Sequence, residues 1–142
     1  MKKIFFNITI LLILIFTNCT GLAIKIEIIP NYYLIALDSK EDTSLSYQDQ
    51  NNDSNYGTLI DATVISVGFN DKFMIIKQKP QQICWGGNID TISYYILPIK
   101  KGMDWKNKNE LLGPFSFSQF QQKKKELKIS SLLFNKSIYD LK

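Results

Sequence analysis

None of the 142 residues is arginine or histidine, so all 17 basic residues are lysine. Lysine offers a point charge where arginine offers a planar fork, so bidentate guanidinium recognition of phosphate or of guanine edges is excluded. The missing imidazole removes the side chain that titrates near neutral pH, and with it His-dependent acid–base catalysis and His-containing zinc sites. Cysteine is scarce too, with Cys19 and Cys84 the only two. No glycine-rich phosphate loop is present, and no apolar run is long enough to span a bilayer. The longest, Ile4 to Phe16, has 13 residues and is interrupted by Asn7 and Thr9; a spanning helix needs roughly 20.

What that run does fit is an export signal. Lys2 and Lys3 precede it, and Thr17-Asn18-Cys19-Thr20-Gly21 follows. A positive amino end, a short apolar helix and a cysteine just beyond it are the parts of a leader that ends at a lipid-attachment cysteine. Residues 1–19 are therefore expected to be an export signal, with a fatty-acylated Cys19 as membrane anchor. Phe16 and Asn18 are poor fits to the positions read before such a cysteine, and Gly21-Leu22-Ala23 offers a second cut, after Ala23, that would discard Cys19 and release a soluble domain. Both outcomes place the chain outside the cytoplasm, in or beyond the cell envelope. If Cys19 is acylated, Cys84 is the one free thiol, no intrachain disulfide can form, and a buried, inert Cys84 suits an oxidising compartment.

Charge is unevenly spread. The net +4 includes Lys2 and Lys3. Residues 24–99 hold five lysines and nine acids, whereas residues 100–142 hold ten lysines and four acids. So small a net charge after leader removal argues against nucleic-acid binding, which phosphate contacts drive. Residues 20–30 are expected to be a tether and 31–142 a single globular domain, a size able to bury its own core.

Within that domain, Asn31 to Asp38 is rich in aromatic and β-branched residues and predicts a strand. The polar tract from Asp38 to Gly57 predicts mostly loop, with Leu45 and Tyr47 marking a short edge strand. Ala62–Phe69 and Phe73–Lys79 flank Asn70-Asp71-Lys72 and predict a β-hairpin, because Asn and Asp tolerate tight-turn backbone angles. Thr91 to Ile99 predicts another strand, whose end Pro98 puts at an edge. Ser116 with Gln119 three residues on predicts a helix start. Phe117, Phe120 and Leu127 would face the sheet, with Lys123, Lys124 and Lys125 mostly opposite. The fold class is α+β: an antiparallel sheet of about four or five strands and one C-terminal amphipathic helix.

The leader, the Asn70-to-Gln78 turn and return strand, Tyr94-Tyr95-Ile96-Leu97, and Leu112-Gly113-Pro114-Phe115-Ser116 leading to Phe120 and Leu127 together resemble a numbered family of small bacterial lipoproteins of unknown function, family 3997. The likeness spans roughly residues 31 to 134. It implies placement at a membrane and no assigned catalytic residue.

Catalysis needs a nucleophile, a base and an orienting group. Cys84 has no imidazole to serve it, no second cysteine makes a dithiol, and the carboxylates show no paired spacing. A non-enzymatic domain with no metal and no cofactor is expected. The candidate partner-binding residues are the loop tryptophans Trp85 and Trp105, which suit interface anchoring, and the basic run Lys123, Lys124 and Lys125. A protein partner, of the kind bound by exported immunity or assembly factors, is the second expectation beside the membrane itself.

Overall fold

The computed structural model describes residues 24–48, 56–79, 91–99 and 110–140. The leader, Cys19, Cys84, Trp85, Trp105 and residues 49–55 of the polar tract lie outside the described residues.

The chain begins as a four-stranded antiparallel meander: β1 (Ile24–Ile29), β2 (Tyr32–Ala36), β3 (Ser44–Gln48) and β4 (Tyr56–Ile60), paired in that order. Asn31 makes the first turn with φ 72°, a left-handed conformation that asparagine tolerates better than most residues. The second sheet holds β5 (Val64–Phe69), β6 (Phe73–Gln78), β7 (Ser93–Pro98), β8 (Leu112–Phe115) and β9 (Lys136–Ser137), in the order β8-β7-β6-β5-β9. Every pairing is antiparallel. Helix α1 (Phe117–Glu126) follows β8 directly.

The predicted hairpin forms as its turn chemistry requires. The Asn70 side-chain oxygen accepts from the amides of Lys72 and Phe73, each at 2.9 Å, and the Asn70 amide donates to the Phe73 carbonyl at 3.0 Å. The predicted helix start forms too. Ser116 Oγ accepts from the Gln119 amide at 3.4 Å while Gln119 Oε1 accepts from the Ser116 amide at 2.9 Å, satisfying two donors that the first turn would otherwise orphan.

The α+β class and the C-terminal helix stand, but the strands divide into two sheets instead of one. Alternation explains the division. On β2 and β3, Tyr32, Leu34, Leu45 and Tyr47 point one way, into a core with Val64, Met74, Ile76 and Leu97 of the second sheet. Ile75 and Ile96, out of phase with Met74 and Leu97, point the other way, onto Phe120, Ile129 and Leu132. The molecule is thus layered sheet, sheet, helix, and the five-stranded sheet is covered on both faces.

Two expectations are corrected. Ile24–Ile29, expected within a tether, is the edge strand β1, its register running from Ile24 opposite Ala36. Leu45 and Tyr47 lie on β3, an interior strand paired on both sides. Pro98 ends β7 as expected: β7 is an interior strand, but β8 stops at Ile96 opposite Leu112, so the Pro98 end pairs with Phe73 alone and has one free side. A residue lacking N–H is tolerated there because no second neighbour reaches it.

The two sheets are joined at one corner by polar groups. The Val64 amide donates to the Thr43 carbonyl at 2.7 Å, and Thr43, itself fully buried, donates its hydroxyl to the Lys40 carbonyl at 2.6 Å. Nearby, Gln78 Nε2 donates to the Asp61 carbonyl at 2.8 Å and Gln78 Oε1 accepts from the Tyr95 hydroxyl at 2.9 Å. Each buried polar group thereby keeps the bond that water would have supplied.

Candidate functional site

Helix α1 was expected to show its lysines to solvent, and for one of them the opposite holds. Lys124 lies four residues after Phe120 and three before Leu127, which at 3.6 residues per turn places it in the middle of the sheet-facing stripe. It is 4% exposed. Its ammonium donates to the Leu132 carbonyl at 2.6 Å and stands 5.6 Å from the centre of the Phe120 ring. Burial pushes its pKa below the usual lysine value, and the aliphatic stem covers apolar surface. Lys124 therefore belongs to the packing and not to a basic surface.

Lys125 is exposed, and Lys123 forms an ion pair with Glu126 at 2.9 Å. The Lys123 hydrogen bond, with its charge, lowers the Glu126 pKa, and Gln122 adds a bond at 3.3 Å. Phe117, expected to be buried, is 58% exposed. It sits in the first turn, past the rim of the sheet, and touches the Tyr94 ring at 5.5 Å.

Gln119, Gln122, Lys123 and Glu126 form the outward wall of a cleft of about 430 Å³ between the helix and the edge strand β8, with Leu112 and Phe115 among its apolar lining. The glycine in that strand is required: Gly113 has φ 126°, and a Cβ there would lie 2.7 Å from the Tyr94 carbonyl oxygen. The cleft combines an apolar floor with amide and ion-pair side chains, the composition of a surface that takes part of another molecule.

A second depression, of about 330 Å³, lies on the outer face of the four-stranded sheet. There Lys25 donates to the Tyr56 hydroxyl and stands over both the Tyr33 and Tyr56 rings, at 4.6 and 4.4 Å, and those rings meet edge to face at 5.5 Å. The hydrogen bond to Tyr56 raises the Lys25 pKa. Sequence reading placed a short strand at Leu45 and Tyr47, from the alternation in Ser44-Leu45-Ser46-Tyr47, but missed its neighbour β4, which begins inside a polar tract that reads as loop.

Of the predicted binding residues, Trp85 and Trp105 lie outside the described residues, Lys123 lines the helix cleft, Lys124 is buried and Lys125 faces solvent. Among the described residues no three His, Cys, Asp or Glu side chains gather as a metal site, and no helix is long and apolar enough to cross a membrane.

Comparison with curated proteins and with solved structures finds no match. One family model does match, over residues 30–139, from β2 and the turn before it to the last turn of the fold. That span is well over half of the 142 residues, and the chain belongs to the family described as protein of unknown function (DUF3997).

Proposed function

We propose that this is an exported protein held at a membrane by an acylated Cys19, whose folded part is a non-enzymatic binding module outside the cytoplasm. The observation that carries the reading is the leader: Lys2 and Lys3, the apolar run Ile4–Phe16, then Cys19. The position of β1 adds support. Only four residues separate Cys19 from Ile24, the first strand residue. At about 3.5 Å per residue, such a link reaches roughly 15 Å, so the domain would rest close to the lipid headgroups. The cleft between α1 and β8 is then the surface offered to a protein partner, with Lys123 on its wall.

A second reading is favoured by the same boundary. Cleavage after Ala23 would make Ile24 the new amino terminus, at the first residue of β1, and would release a soluble domain. Growth of producing cells with a labelled fatty acid separates the two. Label on the wild type and none on Cys19→Ala supports the anchor; an unlabelled wild type whose mature chain starts at Ile24 supports release and removes the lipoprotein reading. For the partner surface, crosslinking from the native envelope followed by Lys123→Glu tests the cleft, and an unchanged crosslinking pattern in that variant would remove it.

A further inference from the structure

The two ends of the sheet pair differ in kind. One carries polar turns, built on Asn31 and on Asn70-Asp71-Lys72. Register defines the other. In the first sheet Ile24 lies opposite Ala36, Ile35 opposite Ser44 and Leu45 opposite Ile60. The Val64 amide, bonded to the Thr43 carbonyl, brings the start of β5 to this same end. Val64 lies opposite Gln78 and Gln78 opposite Ser93, so β6 and β7 also have an end there.

Among the described residues four large apolar side chains are more than half exposed: Leu37, Phe117, Leu133 and Tyr139. Three of the four belong to this second end. Leu37 follows Ala36, the partner of Ile24. Phe117 lies against the ring of Tyr94, which follows Ser93 in β7. Lys136 opposite Val67 and Ser137 opposite Ser66 set β9 running toward Val64, and Tyr139 comes two residues later, its amide donating to Ser137 Oγ at 3.3 Å. Exposed apolar residues scattered singly need no explanation, but these share one end, and it is the end at which the chain arrives from Cys19, four residues before Ile24.

We infer that this end of the domain rests on the bilayer surface, with Leu37, Phe117 and Tyr139 seated among the lipid headgroups. The inference depends on the acylated Cys19 proposed above and names the face that such an anchor brings down. A leucine, a phenylalanine and a tyrosine whose ring carries a polar tip are side chains that settle at a membrane interface. Charges at this end are of both signs, Lys40, Lys77 and Lys79 against Asp38, Glu41, Asp42 and Asp61. Apolar contact, and not attraction to anionic lipid, therefore holds the face, and zwitterionic lipid suffices. The polar turns lie about 20 Å away along the six-residue strands β5 and β6, on the side turned from the membrane.

The test uses the mature acylated chain in phosphatidylcholine nanodiscs with a nitroxide on the headgroups, and follows paramagnetic broadening of backbone amides. Those of Leu37, Phe117 and Tyr139 should broaden severalfold more than those of Asn31 and Lys72. A short tether alone would favour the same end, so the decisive comparison is made with about 12 Gly and Ser residues inserted after Thr20, a flexible link that lets the domain turn over. With that link the native face should keep the contrast, and Leu37→Ser/Phe117→Ser/Tyr139→Ser, changed only at exposed positions, should lose it while its core amide shifts stay in place. Mass spectrometry of Cys19 keeps the two claims apart. A Cys19 without lipid removes the anchored reading and this inference with it; a lipid-bearing Cys19 with equal broadening at both ends, or with contrast undiminished in the triple variant on the long link, overturns this inference alone.

Discussion

The five-stranded sheet is covered on both faces, and the two covers are built differently. Toward the four-stranded sheet the contacts are chiefly aliphatic, Leu34, Leu45, Val64, Met74, Ile76 and Leu97, with Tyr32 and Tyr47 meeting edge to face at 5.0 Å. Toward the helix they are aromatic: Phe120 stacks on Tyr94 at 4.9 Å and on Phe134 at 6.1 Å, with Phe73 and Phe115 around them. A second sheet matches strand for strand and can close with small branched side chains. A 10-residue helix spans far less of the sheet, so large rings and the return segment at 129–135 must cover the remainder, each aromatic burying on the order of 150–250 Å². Extent of cover on one side is replaced by size of side chain on the other.

If that contrast is right, the helix side should depend on a few residues and the sheet side on many. Truncating Phe120 to Ala should therefore cost most, about 3–5 kcal/mol, against about 1 kcal/mol for Ile76→Val on the other face. Comparable losses in chemical denaturation would break the distinction. Next is Gly68→Ala, where a Cβ would lie 2.0 Å from the Leu133 carbonyl oxygen. The return segment cannot keep its Asn135 amide bond to the Val67 carbonyl, 3.0 Å long, without shifting. A loss of about 2–3 kcal/mol is expected, together with a larger exposure of Phe134 on the helix side alone.

The inter-sheet face has its own signature at high pH. Burial raises the Tyr32 pKa to about 12, with Tyr47 and Glu110 contributing. A raised pKa means that the folded state holds its proton where the unfolded chain has released it, so stability is intact below about pH 10 and falls between about 10 and 12. Tyr32→Phe should flatten that decline by about 2 kcal/mol, measured as denaturation midpoints across the range; an unchanged slope would place the titration elsewhere. The smallest effect separates neighbouring lysines. Lys124→Ala leaves the Leu132 carbonyl without its donor and should cost about 1–2 kcal/mol, whereas Lys125→Ala should change stability by less than about 0.5 kcal/mol. Equal tolerance would mean that the helix does not rest on Lys124.

Where local chemistry decides, the sequence was readable. Asn70 closes the hairpin and Ser116 with Gln119 starts the helix because both use bonds spanning three residues or fewer. Long-range choices were not readable. β4 passes in part as loop because its identity rests on pairing with β3, whereas β1 passes as tether although Ile24-Lys25-Ile26-Glu27-Ile28 alternates apolar and charged, a strand signal masked by its place next to the leader. The Lys124 error has a different cause: a lysine run reads as a solvated face, yet phase places Lys124 among aromatics and one carbonyl makes that tolerable. The leader cysteine and the two tryptophans belong to segments outside the described residues.

Strand β6 sits where both covers meet, and Met74, Ile75 and Ile76 in sequence are fully buried. No fluctuation that lifts only the helix, or only the outer sheet, gives solvent access to both flanks of this strand, and its backbone groups are shared with β5 and β7. The amides of these three residues should exchange hydrogen with water through complete unfolding alone. Their exchange rate is then a clock for the global opening of the molecule, while β1 and the helix ends exchange faster through local excursions that leave this strand closed.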